Sequence, residues 1–216
     1  GGNLGSNAST AEDLAGLIAG DYTCTITDNN GCILSHVKTV DEPTAALAAT
    51  SVVTDVLCNG EATGEIDITV TDGTGPYNYL WVASNGGNLG SNLATDEDLT
   101  ALSPGDYTCT ITDNNDCQLV HSKTITEPAV ALAATSVVTD VLCTGEATGE
   151  INITVTDGTP VYTYSWVASN GGNLGSNAST TEDLTGLISG DYTCTITDDN
   201  DCQLVHSKTI TEPAVA

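Results

Sequence analysis

The 216-residue chain has no phenylalanine, no methionine and no arginine, and its only lysines are Lys38, Lys123 and Lys208. That shortage of positive charge excludes a nucleic-acid binder, which needs basic side chains to displace counterions from phosphates. Against three lysines stand 29 acidic residues, a formal net charge of −26, which also disfavours docking on an anionic membrane surface. No stretch approaches 18 apolar residues, so no membrane insertion is expected, and no signal peptide is visible. Acidic charge spread along the chain keeps neighbouring molecules apart in solution and attracts divalent cations.

What the sequence does contain is a long period. Residues 47–131 and 132–216 are one 85-residue unit written twice, differing at 13 positions, and residues 1–46 match its C-terminal half. Gly86 recurs at Gly171, Cys58 at Cys143, Trp81 at Trp166, and His36 at His121 and His206. A strict long period marks a tandem array. Each unit is large enough to bury its own core, so a string of small domains is expected. The start in mid-unit suggests a window on a longer array.

Within a unit, Ile66, Ile68 and Val70 alternate with Glu65, Asp67, Thr69 and Thr71, as in a half-buried antiparallel strand. Tyr77, Tyr79 and Trp81 share one face of the next strand. Tyr107, Cys109 and Ile111 share a face of a later one, and Leu119, His121 and Lys123 a face of the last. Turn signals punctuate these runs at Asn59-Gly60, Gly73-Thr74-Gly75-Pro76 and Asp113-Asn114-Asn115-Asp116, with a longer loop at Ser84–Asn92. This pattern predicts an all-β fold of tandem immunoglobulin-like β-sandwich domains with about seven strands each. Only Asp96–Leu102 reads as helix-like. The linker Thr126-Glu127-Pro128 has no flexible run, so successive units should stack at a fixed twist, each adding roughly 35–45 Å.

Eight cysteines, Cys24, Cys32, Cys58, Cys109, Cys117, Cys143, Cys194 and Cys202, are disulfide candidates in an oxidising, extracellular setting. The seven-residue gap between Cys109 and Cys117 does not match zinc spacing. The second strand carries Ile66 and Ile68 and no cysteine, which rules out the usual immunoglobulin bridge; Tyr107 and Trp81 read as core. Topology places Cys58 and the start of the Cys109 strand at one pole, with Cys117 about a strand length away. This favours Cys58–Cys109 within a unit and leaves Cys117 to a neighbouring unit or chain. Adjacent strand residues face opposite ways, so His121 cannot activate Ser122, nor His206 Ser207, and no nucleophile elbow is present. No catalytic residues, and no enzyme, are expected. Asp72, Asp113 and Asp116, repeated as Asp157, Asp198 and Asp201, fall on two turns at one pole and are candidate calcium ligands, and no other cofactor is expected. Asn7-Ala8-Ser9, Asn152-Ile153-Thr154 and Asn177-Ala178-Ser179 match the glycosylation sequon.

Several motifs occur in fixed order: Cys58-Asn59-Gly60, Gly64-Glu65-Ile66, Gly73-Thr74-Gly75-Pro76-Tyr77-x-Tyr79-x-Trp81, Leu102-x-x-Gly105-Asp106-Tyr107-Thr108 and Thr112-Asp113-Asn114-Asn115-Asp116-Cys117. Together they resemble the SprB-type repeat of the giant surface adhesins of gliding Bacteroidota. The resemblance implies an immunoglobulin-like fold, secretion, often by the type IX system, a place in a long surface filament, and no active site. It also implies Cys58–Cys117 as the bridge, so both pairings stand open. Two departures are visible: Thr159-Pro160-Val161 alters the Gly-Pro turn, and Cys109 and Cys194 stand where the family usually has an aliphatic residue.

The expected function is a structural repeat segment of a secreted or cell-surface filament or adhesin, for attachment, gliding or prey capture. Its expected partners are neighbouring repeats of the same chain and further copies in a homo-oligomeric fibre. The alternative is that the units are themselves glycan- or surface-binding modules acting through the Ser84–Asn92 loop, although that loop has no aromatic residue.

Overall fold

The computed structural model describes residues 2–5 and 9–214, which contain fourteen β-strands and no helix. The first full unit comprises β3 (Ala49–Thr54), β4 (Gly64–Val70), β5 (Asn78–Ser84), β6 (Leu99–Leu102), β7 (Gly105–Thr112) and β8 (Gln118–Ile125). The second repeats them as β9 (Ala134–Thr139), β10 (Gly149–Val155), β11 (Thr163–Ser169), β12 (Leu184–Leu187), β13 (Gly190–Thr197) and β14 (Gln203–Ile210). The half unit supplies the hairpin β1 (Gly20–Thr27) and β2 (Ile33–Val40).

Each full unit forms two three-stranded antiparallel sheets, ordered β3-β4-β6 and β5-β7-β8 in the first. This is an immunoglobulin-like sandwich, split between its sheets as the fold requires. Period-2 alternation decides which side chains meet between the sheets. β4 buries Gly64, Ile66 and Ile68 and exposes Glu65, Asp67 and Thr69, while β7 buries Gly105, Tyr107, Cys109 and Ile111. With Val56, Trp81, Leu99, Leu102 and Ile125 these apolar residues make one closed core, and their counterparts make a second around Trp166 and Tyr192. In the half unit the matching face of β1–β2 is uncovered: Ile26 is 54% exposed where Ile111 is 0%.

Two expectations are corrected. There are six strands per unit, because residues 85–98, where a seventh would lie, form a turn-rich loop with Asn85, Gly86 and Gly90 at positive φ. The segment expected to be helix-like, Asp96–Leu102, holds no helix, and its last four residues form β6. Leu99 and Leu102 are spaced as on a helix, yet both reach the core from a strand. Ala101 takes a φ of 53°, and the register with β4 shifts between Gly64 and Ile66.

Tyr107 fixes the loop to the sandwich. Its hydroxyl donates to the Ser103 carbonyl at 2.7 Å and accepts from the Asn88 N–H at 2.9 Å. The Trp81 indole N–H donates to the Asp96 carbonyl at 2.9 Å, and its backbone N–H donates to Ala94 at 2.8 Å. Gly105 permits the loop's approach, since a Cβ there would run into the backbone of Gly87.

Candidate functional site: the junction between units

The downstream pole of the first unit is built where β3 ends. Asp55 accepts the Thr126 N–H at 2.7 Å, and the buried Val56 donates its N–H to the Thr126 carbonyl at 2.9 Å. The turn that follows is clamped to the linker as well. The Asn59 amide donates to the Pro128 carbonyl at 2.8 Å, and the Gly60 N–H donates to the Glu127 carboxylate. Gly60 sits at φ 84°, a conformation that favours glycine. The result is a stiff turn that presents Cys58 beyond the end of its own sandwich.

The upstream pole of the second unit faces it. Asp198 is buried and accepts three backbone N–H groups: Asn200 and Cys202 on one oxygen and Thr159 on the other, each at 2.9 Å. It therefore shapes the β13–β14 hairpin and ties it to the β10–β11 turn. That tie survives the altered Thr159-Pro160-Val161 sequence, since Asp199 still donates to the Thr159 carbonyl at 3.0 Å. Pro128, Leu132 and Gly158 line the cleft between the poles beside Cys202 and Leu57.

Across this cleft Cys58 is bonded to Cys202, with Cα atoms 5.5 Å apart and a sequence separation of 144. That Cα distance is inside the range a disulfide requires. The pairing is neither Cys58–Cys109 nor Cys58–Cys117. Cys109 is fully buried in mid-strand, in register between Trp81 and His121, so it points into the core and not to the pole. Cys117 follows the hairpin at the opposite pole from Cys58. Its repeat, Cys202, is the residue that a short linker delivers to Cys58 of the unit before. The remaining six cysteines are free: Cys109 and Cys194 buried, Cys24, Cys32, Cys117 and Cys143 exposed. Burial pushes the Cys109 and Cys194 thiols up, and the Asp113 charge pushes Cys117 up.

The other candidate residues are placed as follows. Asp113, like Asp198, is buried and accepts the N–H groups of Asn115, Cys117 and Thr74 at 2.8, 2.9 and 3.1 Å. Burial alone would raise its pKa, but these donors outweigh it and hold the carboxyl below the usual range. Asp72 and Asp157 accept from their neighbours Thr71 and Thr156, while Asp116 and Asp201 occupy positive φ in the hairpin turns. Among the described residues no group of three or more His, Cys, Asp or Glu side chains is arranged to hold a metal ion. Asn177 donates its amide to the Leu174 and Thr185 carbonyls, Asn152 lies within β10, and the Asn7 sequon lies outside the described residues.

One pairing was missed in the sequence. His121 meets Ser51 of β3, Nε2 to Oγ at 3.0 Å, and His206 meets Ser136 at 2.9 Å. Each pair joins the edges of the two sheets. Its only sequence signal is a shared separation of 70 residues. Burial first, then the nearby Lys123 or Lys208, lowers the pKa of each histidine.

Residues 50–88 and 135–173 match the family model of the SprB repeat, in each case from β3 or β9 to the Gly-rich loop. Both regions are consistent with a SprB-type repeat. No curated protein matches the chain. Among solved structures, the chain is similar to the N-terminal eight Ig domains of Down Syndrome Cell Adhesion Molecule, at 13% identity and TM-score 0.41. That match covers 90% of this chain, which spans 28% of the other. The chain is also similar to extracellular domains 3–5 of Drosophila OTK (14% identity, TM-score 0.30, 91% and 72% covered). A third similar structure is a C-terminal fragment of intimin solved with the intimin-binding domain of its translocated receptor (15%, 0.33, 74% and 64%).

Proposed function

We propose that this chain is a structural spacer: a run of SprB units in a secreted or cell-surface filament that carries an adhesive end away from the cell for attachment, gliding or prey capture. The observation that carries the reading is the covalent junction, in which consecutive sandwiches meet pole to pole and are bonded through Cys58 and Cys202. A disulfide persists outside the reducing cytosol, which supports an extracellular place. The loop over residues 84–92 supports a spacer over a glycan-binding module, because its polar groups bond inward. Asn85 donates to Asp106, Asn88 meets Tyr107, and Asn92 bonds Leu89 and Thr100. Side-by-side association of copies into a homo-oligomeric fibre would use the outward valines Val82 and Val120, and Val167 and Val205, all at least 61% exposed. Immunogold labelling of the source cells tests the proposal. Label should follow filaments projecting from the surface, and label confined to the cell interior would reject it.

A further inference from the structure

The bonded pair at the junction has a second, unbonded representation in the same chain. Cys143 is the repeat of Cys58, Cys117 is the repeat of Cys202, and both are exposed free thiols. We propose that Cys143 and Cys117 are the two halves of the same inter-unit bridge, each taking the complementary cysteine of another copy of the repeat, so that every junction of an array carries one staple. The inference rests on the junction reading above and extends it from one bond to a rule: a cysteine at the downstream pole of one unit bonds the hairpin cysteine of the next.

Both halves are already shaped for the bond. At the second unit's downstream pole, Asp140 accepts the Thr211 N–H at 2.7 Å and Val141 donates to the Thr211 carbonyl at 3.0 Å, as Asp55 and Val56 do with Thr126. Gly145, at φ 80°, donates its N–H to Glu212 at 2.8 Å, as Gly60 does to Glu127. Thr144 replaces Asn59, yet its hydroxyl still reaches the Pro213 carbonyl at 2.8 Å. The clamp that presents Cys58 therefore presents Cys143 as well. Leu142 next to it is 72% exposed, against 51% for Leu57 beside the closed bridge.

The receiving side matches too. Cys117 lines a cleft with Pro43, Leu47, Gly73 and Asp113, the residues 85 positions before the Pro128, Leu132, Gly158 and Asp198 that surround Cys202. The equivalent cleft beside Cys202 is filled by the cysteine-bearing turn of the unit before it. A second copy of the repeat is the occupant with the right shape, because the closed junction already holds that turn in that cleft.

Closing the bridge removes two protons and two electrons, and a low-molecular-weight disulfide accepts the electrons. One protein thiolate, such as Cys143 Sγ, attacks that disulfide and expels one small thiolate. The hairpin thiolate of the next copy then attacks Cys143 Sγ and expels the second.

The test is a longer chain, the full 216 residues followed by a further copy of residues 132–216, equilibrated with oxidised and reduced glutathione, alkylated in denaturant and mapped by digestion at acidic residues. Cys143 should change from fully alkylated in the original chain to bonded to the Cys202 counterpart of the added copy, beside an intact Cys58–Cys202 bond. Cys143→Ser should return that counterpart to the alkylated pool and leave Cys58–Cys202 in place. Cys143 still alkylated, or paired elsewhere, while Cys58–Cys202 is bonded would overturn the rule. Absence of Cys58–Cys202 itself would instead overturn the junction reading. In the unextended chain at high concentration, a Cys143–Cys117 bond between molecules assigns the partner copy to a second chain. Bonding seen only after extension assigns it to the same chain.

Discussion

Ala101 sits at φ 53°, where the half unit has Gly16 at 63° and the second full unit has Gly186 at 65°. A left-handed conformation costs an L-residue about 1–2 kcal/mol, while glycine adds about 0.4–1 kcal/mol of unfolded-state entropy to be lost. A Cβ at Gly186 would meet nothing closer than 3.8 Å, so sterics with neighbours do not enter. Ala101→Gly should therefore stabilise the first unit by about 0.5–1 kcal/mol, raising its melting midpoint by several degrees. A calorimetric scan in which that transition falls would refute the account of β6. Tyr107→Phe probes the opposite case. It leaves the Asn88 N–H and the Ser103 carbonyl without the hydroxyl they share, a cost of about 1–3 kcal/mol, visible as a lower urea midpoint with an unchanged slope. Thiol accessibility divides the same way: iodoacetamide under native conditions should label Cys117 and Cys143 and spare Cys109 and Cys194, whose thiols are buried and pushed up in pKa.

At the scale of strands, the edges of the two sheets are joined by the serine–histidine pairs Ser51–His121 and Ser136–His206. The folded-state pKa of each histidine lies below the ordinary 6.5. The unfolded chain thus binds more protons as pH falls through that value, and the stability held by neutral histidine is lost on acidification from about 7 down to the depressed folded pKa. Urea midpoints measured from pH 7.5 to 5 should decline, and His121→Gln with His206→Gln should flatten the decline. An equal slope in the double variant would remove the histidines from the account. The strands with strict alternation were legible in the sequence: β4 through Ile66 and Ile68, and β7 through Tyr107, Cys109 and Ile111. β6 was not, because two leucines three apart look helical until a bulge and one positive φ are known. The seventh strand was expected from the fold class, but residues 85–98 favour turns over extended backbone.

For the whole molecule, the sequence made the repeat, the short linker and the polar positions of Cys58 and Cys117 readable. An outward bridge from the hairpin cysteine was readable too; that Cys58 is its partner was not, because this depends on how one sandwich is turned on the next, and no local pattern encodes that angle. Intra-unit pairing looked reasonable because single-unit topology cannot place two units against each other. The acidic residues were legible as turn residues. Asp113 and Asp198 do organise the upstream pole, but by accepting three backbone N–H groups each, so their oxygens are already engaged. A chelator is therefore expected to leave the junction unchanged, whereas cutting the staple should loosen it.

Small-angle scattering of the oxidised chain, set against its Cys58→Ser variant and against the oxidised chain in EDTA, tests the stapled spacer most directly. The account predicts a narrow distribution of end-to-end distances for the oxidised chain, the same in chelator, and a broader one once Cys58 is replaced. A distribution equally broad with and without the Cys58–Cys202 bond would contradict it.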